Sequence, residues 1–202
     1  SMESIPLLLS REQADLVAGR FSLGEIGEVS RVTSGMINPV FNLGNRYIVK
    51  INTMHEGTAK FERERAASKM IEEQTDVRVP LVVGIDGKRD IIPYEYEVLE
   101  YCGENVYEAW ETMEESRRMT LVKEMAQNLG KIHRIPLDSF GDILSRENLL
   151  TNYGEYFLNN VHNAVLLNED VGKLSSGTIH QIKTILAESE IPGLTLSPRL
   201  VH

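Results

Sequence analysis

The 202-residue sequence predicts an α+β protein, with an N-terminal lobe built on an antiparallel sheet carrying one embedded helix and then a mainly helical lobe. Three observations predict it. After an opening helix, short runs rich in β-branched and aromatic residues dominate up to about residue 104. Two connections between those runs carry hairpin residues, Gly44-Asn45 and Asp86-Gly87. From Asn105 onward, apolar residues recur at helical spacing instead. The change of pattern divides the chain into lobes over 1–102 and 103–202.

The opening helix starts at Ser10, which with Gln13 three residues on fits a capping box, and Gly19 suits its stop. Val29–Thr33, Val40–Leu43 and Tyr47–Ile51 read as strands, and Thr58–Glu73 as a helix. Leu81–Ile85 and Ile91–Tyr101 are two further strands. Pro93 has no N–H to donate, so the start of the second belongs at an edge or a bulge. In Leu121–His133 the residues Leu121, Met125, Leu129 and Ile132 share one helical face. Glu155–Leu167 and Thr178–Glu188 are further helices, and Pro192-Gly193 stops the last one.

Composition narrows the function. Lys plus Arg number 21 and Asp plus Glu 30, a net charge of −9, which disfavours nucleic acid and anionic membrane as partners. A local basic pocket for a small phosphate ligand remains compatible with that balance. A chain 42% apolar and 25% charged has the material for a globular core. Cys102 is the single cysteine, so neither an internal disulfide nor a cluster of thiolate ligands can form. The early apolar run Ile5–Leu9 is broken by Pro6 and is too short for a signal peptide or a membrane span. Ser1 precedes what reads as a native start methionine, Met2. A cytoplasmic location is the expectation.

Three features point to chemistry. Alternation in Tyr47–Ile51 puts Lys50 on the face of Ile48, while Tyr47, Val49 and Ile51 share the other. Taken alone, Lys50 reads more readily as a strand-end lysine reaching water. On a helical wheel Phe61, Ala67, Ser68 and Ile71 cover one arc, with Glu64 near its middle. A carboxylate on a buried face needs a cation, and Lys50 on the preceding strand is its natural partner; a slightly rotated helix would leave Glu64 at the surface. Ser34-Gly35-Met36-Ile37-Asn38 is a small-residue turn whose N–H groups could cover a phosphate, or a plain hairpin loop.

In order along the chain, these features and the strand ending Leu99-Glu100-Tyr101-Cys102 resemble the protein-kinase-like aminoglycoside phosphotransferase family. That family also includes small-molecule kinases of the choline, homoserine and fructosamine type. In SGMINPVF, Gly35, Asn38, Val40 and Phe41 fit the family's Gly-Gly-x-x-Asn-x-Val-Tyr/Phe loop, with Ser34 replacing its first glycine. RYIVKI looks like the phosphate-binding strand; FERERAA matches the helix, with Arg65 as an insertion-like difference. YEVLEYCGEN resembles the segment joining the lobes, and LGKIHRIP the family's Leu-x-x-Leu-His segment. The resemblance runs over nearly the whole chain from about Thr33. It implies that Lys50 holds the α- and β-phosphates of ATP or GTP, that Glu64 fixes Lys50, and that backbone groups of Glu100 and Cys102 meet the base. Ser34, Gly35 and Asn38 would cover the phosphates.

In that family a Leu-Val-His run continues into Gly-Asp and, further on, an Asn. The Asp orients the acceptor hydroxyl, while the Asn and a later Asp hold magnesium. Here Leu200-Val201-His202 ends the sequence, so the catalytic loop would begin at His202 and no catalytic or metal residue is assigned. The expectation is a nucleotide-binding portion of a small-molecule phosphotransferase, inactive by itself and open to self-association through exposed apolar surface.

The other candidates have plainer readings. His55, His133, His162 and His180 form no metal spacing, and Cys102 reads as a small apolar filler. Glu104, Glu108, Glu111, Glu114 and Glu115 form a run that is either a solvated helix face or an acidic rim attracting an amine-bearing acceptor such as an aminoglycoside. Two rivals remain beside the kinase reading. One is a non-catalytic module that binds nucleotide or a partner; the other is an interaction protein in which Lys50 and Glu64 are a core ion pair.

Overall fold

The computed structural model describes residues 8–32, 38–54, 56–145, 149–188 and 196–201. Ser34, Gly35, His55, Pro192, Gly193 and His202 lie outside them. The chain divides into two compact units, Ser1–Ile132 and His133–His202. The change of pattern expected at 102/103 falls inside the first unit.

The first unit opens with α1 (Arg11–Arg20), and the capping box is present in both directions. Gln13 N–H donates to Ser10 Oγ at 3.0 Å, and Ser10 N–H to Gln13 Oε1 at 3.0 Å. The helix runs one residue past Gly19, and Arg20 in its last turn meets the carboxylates of Asp86 and Asp90. Five strands follow: β1 (Val29–Val32), β2 (Val40–Leu43), β3 (Tyr47–Asn52), β4 (Val82–Asp86) and β5 (Glu95–Glu100). They form one sheet in the order β1-β2-β3-β5-β4, antiparallel throughout. The crossover between β3 and β4 is made by α2 (Ala59–Gln74), the embedded helix.

Alternation gives the sheet two faces. Phe41, Val49, Ile51, Tyr96 and Val98 are buried in one cluster with Ala14, Val17 and Ala18 of α1. The opposite face carries Val40, Asn42, Ile48, Lys50, Glu97 and Leu99, which pair across β2, β3 and β5. On α2, Phe61, Ser68 and Ile71 are buried, the arc that periodicity selects.

The Gly44-Asn45 turn is present: Asn42 Oδ1 accepts the Asn45 N–H at 2.9 Å, and Leu43 pairs with Tyr47. The Asp86-Gly87 hairpin is not. β5 starts at Glu95, so residues 87–94 form a longer connection. Pro93 lies within it, where the lack of an N–H costs no ladder bond. Asp86 is buried instead, accepting from Lys88 N–H at 2.7 Å, from Tyr96 Oη–H at 2.9 Å and from Arg20. The sequence at 86–87 has turn chemistry, but the carboxylate serves as an anchor for the wider loop.

After β5 come α3 (Val106–Trp110) and α4 (Glu115–Ile132). Arg118 Nε donates to the Trp110 carbonyl at 2.9 Å and the guanidinium lies 5.4 Å from the Trp110 ring centre, fixing the junction. α4 starts six residues before the expected Leu121 and contains no buried residue; Met125 and Leu129 of the expected apolar face are exposed. The second unit contains α5 (Tyr153–Val171), capped by Asn152, and α6 (Ser176–Glu188). No described helix is long and apolar enough to cross a membrane.

Candidate functional site

The face opposite α1 is open beside the sheet's β1–β2–β3 side and the end of β5, forming a cleft of about 620 Å³. Val32, Val40, Ile48 and Leu99 supply apolar walls, and Glu100 to Cys102 form one edge. Strand alternation explains the set: Val32 pairs with Val40, and Ile48 with Leu99, so their side chains lie together on that face.

Two residues along β3 from Ile48, the Lys50 ammonium is held on three sides. Its Nζ donates to both carboxylate oxygens of Glu64, each at 2.7 Å, across 14 positions of sequence. Glu97 Oε1, directly across the strands, lies 2.8 Å from the same nitrogen. Burial works against the charged lysine, but the two carboxylates outweigh it and hold Lys50 above the usual lysine range. Glu97 is fully buried, and burial pushes its carboxyl up to about 7; Lys50 opposes the rise and Glu64 adds to it.

The cleft edge is anchored up to Tyr101 and released after it. Glu100 N–H donates to the Leu81 carbonyl at 3.0 Å and Tyr101 N–H to the Arg46 carbonyl at 3.0 Å. Cys102 makes no backbone hydrogen bond to another described residue. Gly103, with φ +113°, then takes a conformation that side chains rarely permit, and the chain turns away from the sheet. The expectation of Cys102 as an apolar filler is therefore corrected: past the last strand no described residue covers it, and it is exposed on the cleft.

The structure brings Lys50 and Glu64 together and places Glu100 and Cys102 along the cleft. Asn38 is buried just ahead of β2, its Oδ1 without a donor among the described residues. Ser34 and Gly35 lie outside the described residues. Glu104, Glu108, Glu111, Glu114 and Glu115 are all exposed, and the first two line the cleft. His162 and His180 are exposed on helices, and among the described residues no three ligating side chains gather to hold a metal ion.

Glu97 is the residue that periodicity alone did not select. The signal was there: in Glu95–Glu100 (EYEVLE) two acidic residues alternate inside a strand with apolar neighbours, a pattern that needs a cation on the adjoining strand. Only the pairing of β5 with β3, which skips β4 in sequence, shows that the cation is Lys50.

Among solved structures, the chain is similar to the streptomycin–ATP ternary complex of APH(2")-IIa, with a TM-score of 0.58 and 21% identity over 90% of this chain and 58% of that one. It is also similar to a GDP complex of aminoglycoside 2'-phosphotransferase-IIIa, with a TM-score of 0.53 and 12% identity over 87% of this chain and 57% of that one. A Thermobifida fusca YX-ER1 protein assigned as a fructosamine-3-kinase gives a TM-score of 0.59 and 14% identity, over 92% of this chain and 65% of that one. At these identities the likeness establishes the shared fold, and the chain spans less than two thirds of each structure. A comparison with curated proteins gives no sequence match. The sequence profile of the phosphotransferase enzyme family, APH, matches residues 28–200, and with most of its length inside that match the chain belongs to this family.

Proposed function

We propose that the chain supplies the nucleotide-binding cleft of an ATP- or GTP-dependent phosphotransferase that phosphorylates a hydroxyl of a small molecule. In this reading 1–102 is the nucleotide-binding lobe, and 103–202 part of the helical lobe, of a cytoplasmic enzyme. The observation that carries it is Lys50, whose ammonium is fixed by both oxygens of Glu64, two residues along β3 from Ile48 in the cleft wall. An immobilised, partly desolvated cation is suited to the α- and β-phosphates, and the apolar walls suit the flat faces of a purine. The Glu100 carbonyl and the Cys102 N–H would read the edge of the base. Ser34, Gly35 and Asn38 would cover the phosphates.

In the reaction the bond from the γ-phosphorus to its bridging oxygen breaks, the acceptor oxygen takes the phosphoryl group, and the hydroxyl proton leaves. Magnesium belongs to the proposal for the whole protein; the described residues assemble no site for it, so no step is assigned to it. Solved structures of similar fold contain ATP, ADP or GDP, and some aminoglycosides. An amine-bearing acceptor fits the exposed carboxylates of Glu104 and Glu108 at the cleft. A non-catalytic binding module is the second reading, and it shares the same cleft.

Titration of the chain with ATP and with GTP tests the proposal. Lys50→Ala is expected to weaken the nucleotide that binds by tenfold or more, about 1.4 kcal/mol. Unchanged affinity in the variant, or no binding of either nucleotide to the parent chain, would leave Lys50 and Glu64 as a core ion pair of an interaction protein.

A further inference from the structure

Glu97 is a buried acid with more negative charge around it than one lysine can match. Its side chain is fully buried within β5. Oε1 meets Lys50 Nζ at 2.8 Å, and Oε2 finds no donor among the described residues. The charged groups facing it are Lys50 from β3 and Glu64 from α2. β4 contributes Ile85, which is apolar. On its own strand, Glu95 has Oε1 taken by Arg89 at 2.7 Å and by the Gly57 N–H at 3.1 Å, while its Oε2 has no donor among the described residues. One cation therefore serves two carboxylates, and Oε2 of the second has no donor among the described residues in place of lost water.

We propose that Glu97 decides whether Lys50 is available to the phosphates of a nucleotide: as a neutral acid it leaves the ammonium's charge to them, and as a carboxylate it competes for that charge. The inference rests on the reading of the cleft as a nucleotide site. Phosphates arriving at Lys50 bring negative charge next to Glu97, and like charges at close range favour the protonated carboxyl. Above neutral pH, binding then takes one proton from solvent onto Glu97. By linkage, affinity for the nucleotide falls as pH rises. Burial and Glu64 already hold the acid well above the ordinary carboxylate range before any ligand arrives, so the change falls from about neutrality upward, and Lys50, held above the usual lysine range, stays charged.

The test is calorimetry of the full chain and of Glu97→Gln, with ATP and GTP in magnesium and with adenosine and guanosine, which lack phosphates. Measurements at about pH 6 and about pH 8.5, in buffers of different ionisation heat, count the protons taken up. The parent chain should bind its nucleotide at least about fivefold more weakly at the higher pH, with proton uptake. The nucleoside should show neither effect, and Glu97→Gln should be nearly flat with pH. The same pH dependence in Glu97→Gln, or no uptake by the parent chain, would overturn the role of Glu97 and leave the cleft's reading intact. Should Glu97→Gln fail to fold, the parent's proton count for nucleotide against nucleoside decides alone. Binding of none of the ligands at either pH would refute the cleft's reading, and this inference with it.

Discussion

Single residues here carry opposite dependences on pH. The Arg20 guanidinium takes both oxygens of Asp90, at 2.6 and 2.7 Å, and holds that carboxyl down at about 2. Its depressed value means the stabilisation is complete above the ordinary carboxylate range and is lost as pH falls through about 2. Asp86 shifts the same way: burial opposes, but the Lys88 N–H, Arg20 and Tyr96 outweigh it. Glu97 runs the other way. Its raised value means that its contribution is full below about 4.5 and is lost as pH rises through about 7, a decline on the order of 3 kcal/mol over that range. Urea unfolding at about pH 5 and about pH 7.5 should show that decline in the parent chain and little of it in Glu97→Gln; equal slopes would contradict it. Lys50 and Glu64 were legible from strand alternation and the helical wheel. Glu97 was not, because its significance depends on a pairing between strands far apart in sequence.

Elements were legible where local chemistry decided them. The capping box at Ser10 and the β2–β3 turn follow from residues within a few positions of each other. Gly44 adds a long-range constraint that no local signal announces. Its φ is +61°, and a Cβ there would stand 2.5 Å from the Gly27 nitrogen, a backbone atom with little freedom to retreat. Gly44→Ala is expected to cost about 2–3 kcal/mol in strain and displacement, read as a lower urea midpoint. A midpoint within error of the parent would contradict it. The β4–β5 connection misled the sequence reading because Asp-Gly favours a tight turn locally, whereas Asp86 is claimed by Arg20 and Tyr96 from outside the turn. α4 shows the reverse problem: its apolar periodicity was readable, yet Met119, Val122, Met125 and Leu129 are exposed.

At the scale of the whole molecule, the α+β class and the strand positions came from periodicity, while the strand order needed the structure. Hydrophobic pattern reports which face is buried, not which neighbour buries it. The exposed apolar side chains of α4 lead to the expectation that the 202-residue chain self-associates. Light scattering should give a mass above 22.8 kDa that grows with concentration, and a monodisperse monomer would refute it. One more consequence comes from α1. The family match begins at residue 28, yet Ala14, Val17 and Ala18 fill the core behind the sheet, and Arg20 pairs with two carboxylates of the β4–β5 side. A gene fragment trimmed to the family boundary would uncover the greasy back of the sheet and strand Asp86 without its cation. Cloning for this protein should therefore begin upstream of Ser10, because a fragment cut at residue 28 is expected to lose the packing that α1 supplies.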